Sequence, residues 1–351
     1  MKRIIALLLI CLLVCSGTTV FGNDNLNLSH DEEYMVNVIL SNSNVEVFPT
    51  DSYSILDIAG NPTYICVEFN TPDDKQGFGI IDLCSYDVVM YTLASDIPFS
   101  SEDIIVYDGG LQFARINNDG SATVLNTGTI ISADLLFDKN YIRSYVVSDD
   151  IKFERINQEI DLLNNNQVRS SEVLINGGSD TTLVYSAGNN SSPWTTDCGI
   201  NAAAIFLRHM DNYFDNNYVP NTQNTENSLK IALAARAHSL LGHTTSLTMD
   251  EIASLANSYM DAYSGSGVSH VTNRTYSWLK YYLRIMNGLG MPCILCIEAG
   301  TTSYWSSAHA VVGVGYTSGA TATSGYIIVN SGWISLGYVY IGTSIPSYII
   351  Y

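Results

Sequence analysis

The chain has 351 residues, of which 46% are hydrophobic, and this length suits about two domains that each build a core. Its formal net charge of −19 disfavours nucleic-acid binding, because the phosphate backbone is also negative. The 23 Tyr and 10 Phe residues exclude a largely disordered chain.

The first 22 residues have the pattern of a bacterial-type secretory signal peptide. Lys2 and Arg3 form a short basic region, residues 4–14 are apolar, and Val20-Phe21-Gly22 offers a cleavage site. After this segment, no apolar run approaches the roughly 18 residues that a membrane-spanning helix needs. We therefore predict that residues 1–22 are removed on export and that the mature protein is secreted and free of the membrane.

Residues 23–165 are predicted to form a β-rich N-terminal domain. Short apolar runs separated by turn residues are typical of β-strands and hairpins. Between residue 31 and about residue 150, such runs lie at 64–69, 79–83, 104–107, 111–116 and 122–125. Residues 151–166 then have helical periodicity. This half has no cluster of titratable groups at catalytic spacing, so we interpret its acidic residues as a solvated face.

Residues 166–192 are predicted to form a linker. The segment is rich in Asn, Ser and Gly, and only a few apolar residues such as Val173, Leu174 and Ile175 interrupt it. Exposed segments of this composition are the places where proteases cut a folded chain. We therefore expect any processing of the chain to occur here.

Residues 193–351 are predicted to form an α+β domain. Helical patterns come first, at 198–214, 228–241, 249–263 and 276–286. Strand-like runs follow at 293–298, 309–316, 326–330 and 337–341. Helices followed by antiparallel strands are typical of an α+β fold.

Five cysteines remain after signal cleavage, an odd number that leaves at least one thiol unpaired. Cys66 and Cys84 lie in neighbouring strand-like runs, and two interpretations stay open: a disulfide, or two free thiols. Cys293 and Cys296 are three apart in one strand-like run, which points them to opposite faces of a sheet. We expect core side chains there rather than zinc ligands. The fifth thiol, Cys198, is the candidate for a reactive cysteine.

Cys198 is predicted to be the first residue of a buried helix. Asp197 is a suitable N-cap, and the positive end of the helix dipole favours an anion beside it. This arrangement is expected to lower the pKa of the thiol from about 8.5 and so to favour the reactive thiolate. A buried structural cysteine at the start of a helix is the alternative interpretation.

His309 and Asn330 are the candidate partners of this thiol. His309 begins an apolar, Gly-containing strand, whose backbone would fix the ring as a catalytic base requires. Asn330 ends the next strand, where a carboxamide can hold one imidazole nitrogen and leave the other for the thiol. A core histidine and a turn-forming asparagine are the alternative interpretations.

Three segments together resemble papain-clan cysteine peptidases: Asp197-Cys198-Gly199 before an Ala-rich helix, residues 308–316, and residues 326–333. The resemblance covers roughly residues 190–351 and is closest to bacterial secreted peptidases such as streptopain and the double-glycine, bacteriocin-processing peptidases. It implies a papain-like fold, peptide-bond hydrolysis through a thioester, and no metal or organic cofactor. In this family the matching positions make Cys198 the nucleophile, His309 the general base and then acid, and Asn330 the residue that orients the histidine.

The sequence departs from the papain-like pattern at the position that usually completes the oxyanion hole. Papain-like enzymes usually place a Gln about six residues before the nucleophile to complete the oxyanion hole, and here that position is Ser192. Loss of one such donor typically costs about 10²–10³ in rate. Asn189, Asn190, Ser192 and Thr196 are the candidate replacements, together with the backbone N–H of Cys198, and the sequence does not choose among them. Residues 23 to about 170 resemble inhibitory propeptides, which implies that the N-terminal domain inhibits the enzyme within the same chain.

Our leading hypothesis is a secreted cysteine endopeptidase that is made as a zymogen and acts on polypeptides. A second hypothesis keeps the same three residues but transfers the acyl group to an amine or cleaves a cell-wall amide, since the thioester step is shared. A third is a catalytically inactive, peptidase-like secreted binding or adhesion protein.

Overall fold

The chain forms helices and antiparallel sheets, so the α+β class predicted from the sequence is confirmed at this level. The computed structural model describes residues 28–95, 97–107, 109, 111–125, 128–138, 147–164, 172–180, 197–214, 217–263, 271–272, 291–297, 309–317, 325–332, 334, 336–340 and 349–350.

The helices are α1 (His30–Ser43), α2 (Asp149–Asn164), α3 (Cys198–Tyr213), α4 (Glu226–Leu241) and α5 (Met249–Tyr263). The predictions for α2 to α5 are confirmed, with small differences at the helix ends. The predicted helix at 276–286 lies outside the described residues. Within the described part of the chain, no helix has the length and apolar composition needed to cross a membrane.

Helix α1 corrects the expectation that the chain begins as β structure near residue 31. A reciprocal capping box starts this helix: Glu32 N donates to Ser29 Oγ, and Ser29 N donates to Glu32 Oε2 at 2.7 Å. The Ser-x-x-Glu spacing is a local signal for a helix start, and it was available in the sequence. The helix buries Met35 and Ile39 in the core.

The strands form two antiparallel sheets. The first has the order β1 (Phe48–Ile55), β2 (Tyr64–Asn70), β3 (Gln76–Asp82), β4 (Asp87–Thr92), β14 (Gly337–Tyr340), β13 (Tyr326–Asn330), β12 (His309–Thr317), β11 (Cys293–Ile297), β15 (Ile349–Ile350) and β10 (Val271–Thr272), with β9 (Glu172–Leu174) also paired to β12. The second has the order β5 (Ile104–Tyr107), β6 (Phe113–Ile116), β7 (Ser121–Val124) and β8 (Thr129–Ser132).

The first sheet continues from the N-terminal half of the chain into the C-terminal half. Strand β4, from the segment predicted as the N-terminal domain, pairs with β14, from the segment predicted as the α+β domain. Buried residues from both halves belong to one hydrophobic core. The two segments are therefore joined by hydrogen bonds and by apolar packing.

Part of the segment predicted as a linker also belongs to this sheet. Residues 172–174 form β9, which pairs antiparallel with the last residues of β12. Ile175 is buried, and its N–H donates to Val314 O at 2.9 Å. The few apolar residues of this polar segment are thus the ones that attach it to the sheet, because their burial removes apolar surface from water.

Candidate active site

Cys198 is the first residue of α3, as predicted. Asp197 is the N-cap: its backbone is extended, and its Oδ1 accepts a 2.8 Å hydrogen bond from Gly199 N. Helix α3 packs against β12, and α4 and α5 pack against α3. A Cβ at Gly199 would lie 2.8 Å from Ile252 Cδ1, so α5 comes as close to the first turn of α3 as a glycine allows.

The thiol of Cys198 is half-buried beside the start of β12. Burial raises its pKa to about 12, and the carboxylate of Asp197 adds to this shift, while the backbone N–H groups of Ala310 and Gly199 act in the opposite direction. The expectation that the helix N-terminus lowers this pKa is therefore wrong for this arrangement. Desolvation and the neighbouring carboxylate outweigh the helix dipole, and the thiol is protonated at neutral pH.

His309 is the first residue of β12, at the position the sequence predicts. Its side chain is 3% exposed, and burial lowers the pKa of the ring to about 4. Within the described part of the chain, its Nε2 has no hydrogen-bonding partner. The ring is therefore neutral at neutral pH, and no thiolate–imidazolium pair exists in this arrangement.

Asn330 is the last residue of β13, again as predicted, and it is buried. Its Oδ1 accepts a 3.0 Å hydrogen bond from Gly332 N, which begins the turn after the strand. The carboxamide thus has the turn-forming contact that was the alternative interpretation of this residue.

The register of β12 decides which side chains share a face. Asn330 pairs with Val312, whereas His309 lies three residues before Val312 in a regular stretch of the strand. Because side chains alternate between faces, Asn330 projects on the face opposite to His309. A bulge between Gly313 and Gly315 sets this register. The fold thus brings the three backbone segments together, but it does not align the ring with the carboxamide.

A loop that the sequence analysis missed holds the N-cap of α3. Ser246 N donates a 2.6 Å hydrogen bond to Asp197 Oδ2, and Ser246 has a left-handed backbone with φ 56°. His243 connects the loop to α5: its Nδ1 contacts Thr245 O at 2.9 Å and its Nε2 contacts Glu251 Oε1 at 3.0 Å. The signal in the sequence was Thr248-x-x-Glu251, a capping box that begins α5.

Two further polar side chains of α3 are buried. Asn201 lies one turn after Cys198, and its Oδ1 has no hydrogen-bonding partner among the described residues. His209 donates from Nε2 to Asn176 O at 2.8 Å, which identifies its other ring nitrogen as the unprotonated one. Among the described residues of α3 and β12, the buried side-chain polar atoms without a hydrogen-bonding partner are Asn201 Oδ1, His209 Nδ1 and His309 Nε2.

The remaining predicted site residues lie outside the described residues. These are the oxyanion-hole candidates Asn189, Asn190, Ser192 and Thr196. Of the other thiols, Cys66 and Cys84 are not joined in a disulfide; Cys66 is buried in β2, and Cys84 follows β3 and is partly exposed.

The described residues contain no group of three or more His, Cys, Asp or Glu side chains that could hold a metal ion.

Comparison with known proteins adds no relative. No protein-family model matches the chain, and no curated protein matches it. Any function must therefore be argued from the residues themselves.

Proposed function

We propose that the protein is a secreted cysteine endopeptidase with a papain-like fold, made as a latent precursor. The observation that carries the proposal is the position of Cys198, at the capped start of a buried helix and beside the first residues of β12. His309 begins that strand and Asn330 ends its neighbour, in the order that the resemblance implies.

The chemistry requires the thiol proton to pass to His309. The thiolate then attacks the carbonyl carbon of the scissile peptide, and the resulting oxyanion collapses to a thioester as the amine leaves with the proton from the imidazolium. Water, deprotonated by His309, hydrolyses the thioester and frees the thiol. Neither a metal nor an organic cofactor takes part in this sequence.

The described arrangement suits a precursor rather than a working enzyme. Burial disfavours both the thiolate of Cys198 and the imidazolium of His309, so the proton stays on sulfur. Activity requires a rearrangement that brings the ring to the thiol and offers both charges a polar environment. We propose that the uncut chain holds the latent arrangement and that cleavage between residues 165 and 192 allows the thiol and the ring to rearrange.

Mass spectrometry of the purified protein under reducing conditions tests this proposal. Wild-type protein should be cut in that segment, and Cys198→Ala should stay intact after the signal peptide is removed. The processed wild type should hydrolyse a casein-like protein, and the variant should not. Equal cutting of both proteins, or no hydrolysis by the processed chain, would overturn the proposal.

An inactive, peptidase-like binding protein is the second candidate. The neutral thiol of Cys198 favours it, and so does Nε2 of His309, which has no hydrogen-bonding partner among the residues that the structure describes. Neither group is prepared for catalysis. A thiol-directed epoxide inhibitor separates the two candidates. Labelling of Cys198 after processing supports the peptidase, whereas absence of labelling together with absence of hydrolysis supports the binding protein.

A further inference from the structure

Strand β14 has a neighbour on each side, and the two neighbours come from different halves of the chain. On one side it pairs with β13, and on the other it pairs with β4. In the second pairing, Tyr338 lies opposite Tyr91, with Gly337 opposite Thr92 and Val339 opposite Met90. Without the N-terminal half, β14 would be an unpaired edge of the sheet that carries His309 and Asn330.

The side chains at this junction are buried aromatic rings. The rings of Tyr91 and Tyr338 stack with centroids 4.3 Å apart and planes within 8° of parallel. Tyr326 packs edge-on to Tyr91 at 5.1 Å, and its hydroxyl donates to Val88 O at 2.9 Å. Tyr91 and Tyr338 are 0% and 1% exposed. Separation of the halves would expose these rings on a bare sheet edge, and such an edge favours aggregation.

The N-terminal half holds the sheet at a second place, through β9. This strand pairs with β12 over Glu172–Leu174, and Ile175 N donates to Val314 O at 2.9 Å. The Tyr338 hydroxyl also donates to the carboxylate of Glu172, which links the second contact to the first. A chain cut after Asp180 would therefore keep both contacts in its N-terminal fragment.

We infer that the N-terminal half is a permanent subunit of the protein rather than a removable propeptide. A cut between Asp180 and Asp197 yields two chains that stay bound through the β4–β14 and β9–β12 pairings. The partner that fits the β14 edge is thus the protein's own N-terminal fragment. The inference rests on the proposed function only in supposing that the chain is cut in nature, and its test needs no catalytic activity.

The test uses the Cys198→Ala chain with the recognition sequence of a specific protease inserted between Asp180 and Asp197. After complete cutting, native mass spectrometry should find one copy of each fragment in a single complex. Size-exclusion chromatography should place this complex at the elution volume of the uncut chain, and the fragments should separate only in denaturant. Fragments that elute apart in native buffer, or a C-terminal fragment that precipitates while the other stays soluble, would overturn the inference.

Two matched substitutions locate the contact. Tyr91→Ala removes the ring that stacks on Tyr338 across the two fragments, and it should lower the urea concentration at which the cut complex dissociates. Tyr259 is an equally buried tyrosine whose described contacts, Gln223 and Tyr263, lie in its own fragment. Because Tyr259→Ala removes no described contact between the two fragments, it should lower that concentration less than Tyr91→Ala does. Equal effects of the two substitutions would contradict the inference. If neither variant folds, the co-elution of the two fragments of the Cys198→Ala chain still tests the inference.

Discussion

Ser246 donates its backbone N–H to Oδ2 of Asp197 at 2.6 Å, and Asp197 caps the helix that begins with Cys198. The carboxylate therefore connects the first turn of α3 to a loop that precedes α5. Burial raises the pKa of Asp197, while its hydrogen bonds from the N–H groups of Gly199 and Ser246 act in the opposite direction. The reactivity of the thiol and the stability of this loop are thus linked through one side chain.

Replacement of Ser246 tests the strength of this link. Ser246→Pro removes the donor and cannot adopt φ 56°, so we expect a loss of about 2 kcal/mol or more in the free energy of unfolding. Ser246→Gly keeps the N–H and tolerates the left-handed backbone, so it should change stability little. Urea unfolding of the two variants measures the difference, and similar midpoints would contradict the prediction.

Replacement of Asp197 tests the electrostatic cause of the raised thiol pKa. Asp197→Asn keeps one oxygen that can cap the helix, and it removes both the negative charge beside Cys198 and one of the two oxygens that accept from Gly199 N and Ser246 N. Since this carboxylate raises the pKa of the thiol, the variant should alkylate faster, by about two- to ten-fold at a fixed pH near 8. The pH profile of iodoacetamide labelling at Cys198, read by peptide mass spectrometry, gives the result. A profile that does not move to lower pH would exclude Asp197 as a cause.

Buried histidines should make the protein sensitive to mild acid. Burial lowers the pKa of His209 and of His309 to about 4, against an ordinary value of about 6.5. Below pH 6.5 the unfolded chain therefore binds more protons than the folded chain, and stability falls as the pH falls toward 4. We expect a loss on the order of 2 kcal/mol per histidine between pH 7 and pH 5.

Two substitutions check the sign of this dependence. His209→Gln retains an N–H donor for Asn176 O and should flatten the fall in stability between pH 7 and pH 5. His243 is the contrast, because its contacts with Thr245 and Glu251 raise its pKa, so its contribution is present in acid and is lost as the pH rises. His243→Gln should therefore steepen the fall in acid. Identical slopes in the two variants would refute the assignment.

The contact between α3 and α5 gives a packing prediction. A Cβ at Gly199 would meet Ile252 Cδ1 at 2.8 Å and Asp197 Oδ1 at 2.9 Å, so Gly199→Ala should cost about 1–3 kcal/mol of stability. Ile252→Val removes the atom that comes closest, and in the Gly199→Ala background it should recover part of the loss. Additive effects of the two substitutions in a double-mutant cycle would show that the contact is not the cause.

Local patterns predicted the elements of this fold well, because caps and periodicity act over short stretches of chain. Asp197 was recognised as the N-cap of α3, and β5 and β13 have the predicted bounds. The pairing of β4 with β14 could not be predicted, since the order of strands in a sheet depends on tertiary packing rather than on either segment alone. The burial that sets the pKa values of Cys198 and His309 arises in the same way, from the whole core.

The bulge in β12 has a consequence for how the three candidate residues come to act together. Val314 is the extra residue between the pairs that Gly313 and Gly315 make with β13. A strand without it would pair Asn330 with Gly313, on the side of the sheet that His309 occupies. The single extra residue Val314 therefore determines which surface of the sheet the carboxamide occupies. Because β12 and β13 are buried at every position, a change of this register would break the hydrogen bonds between the two strands and move every side chain of one strand to the other face.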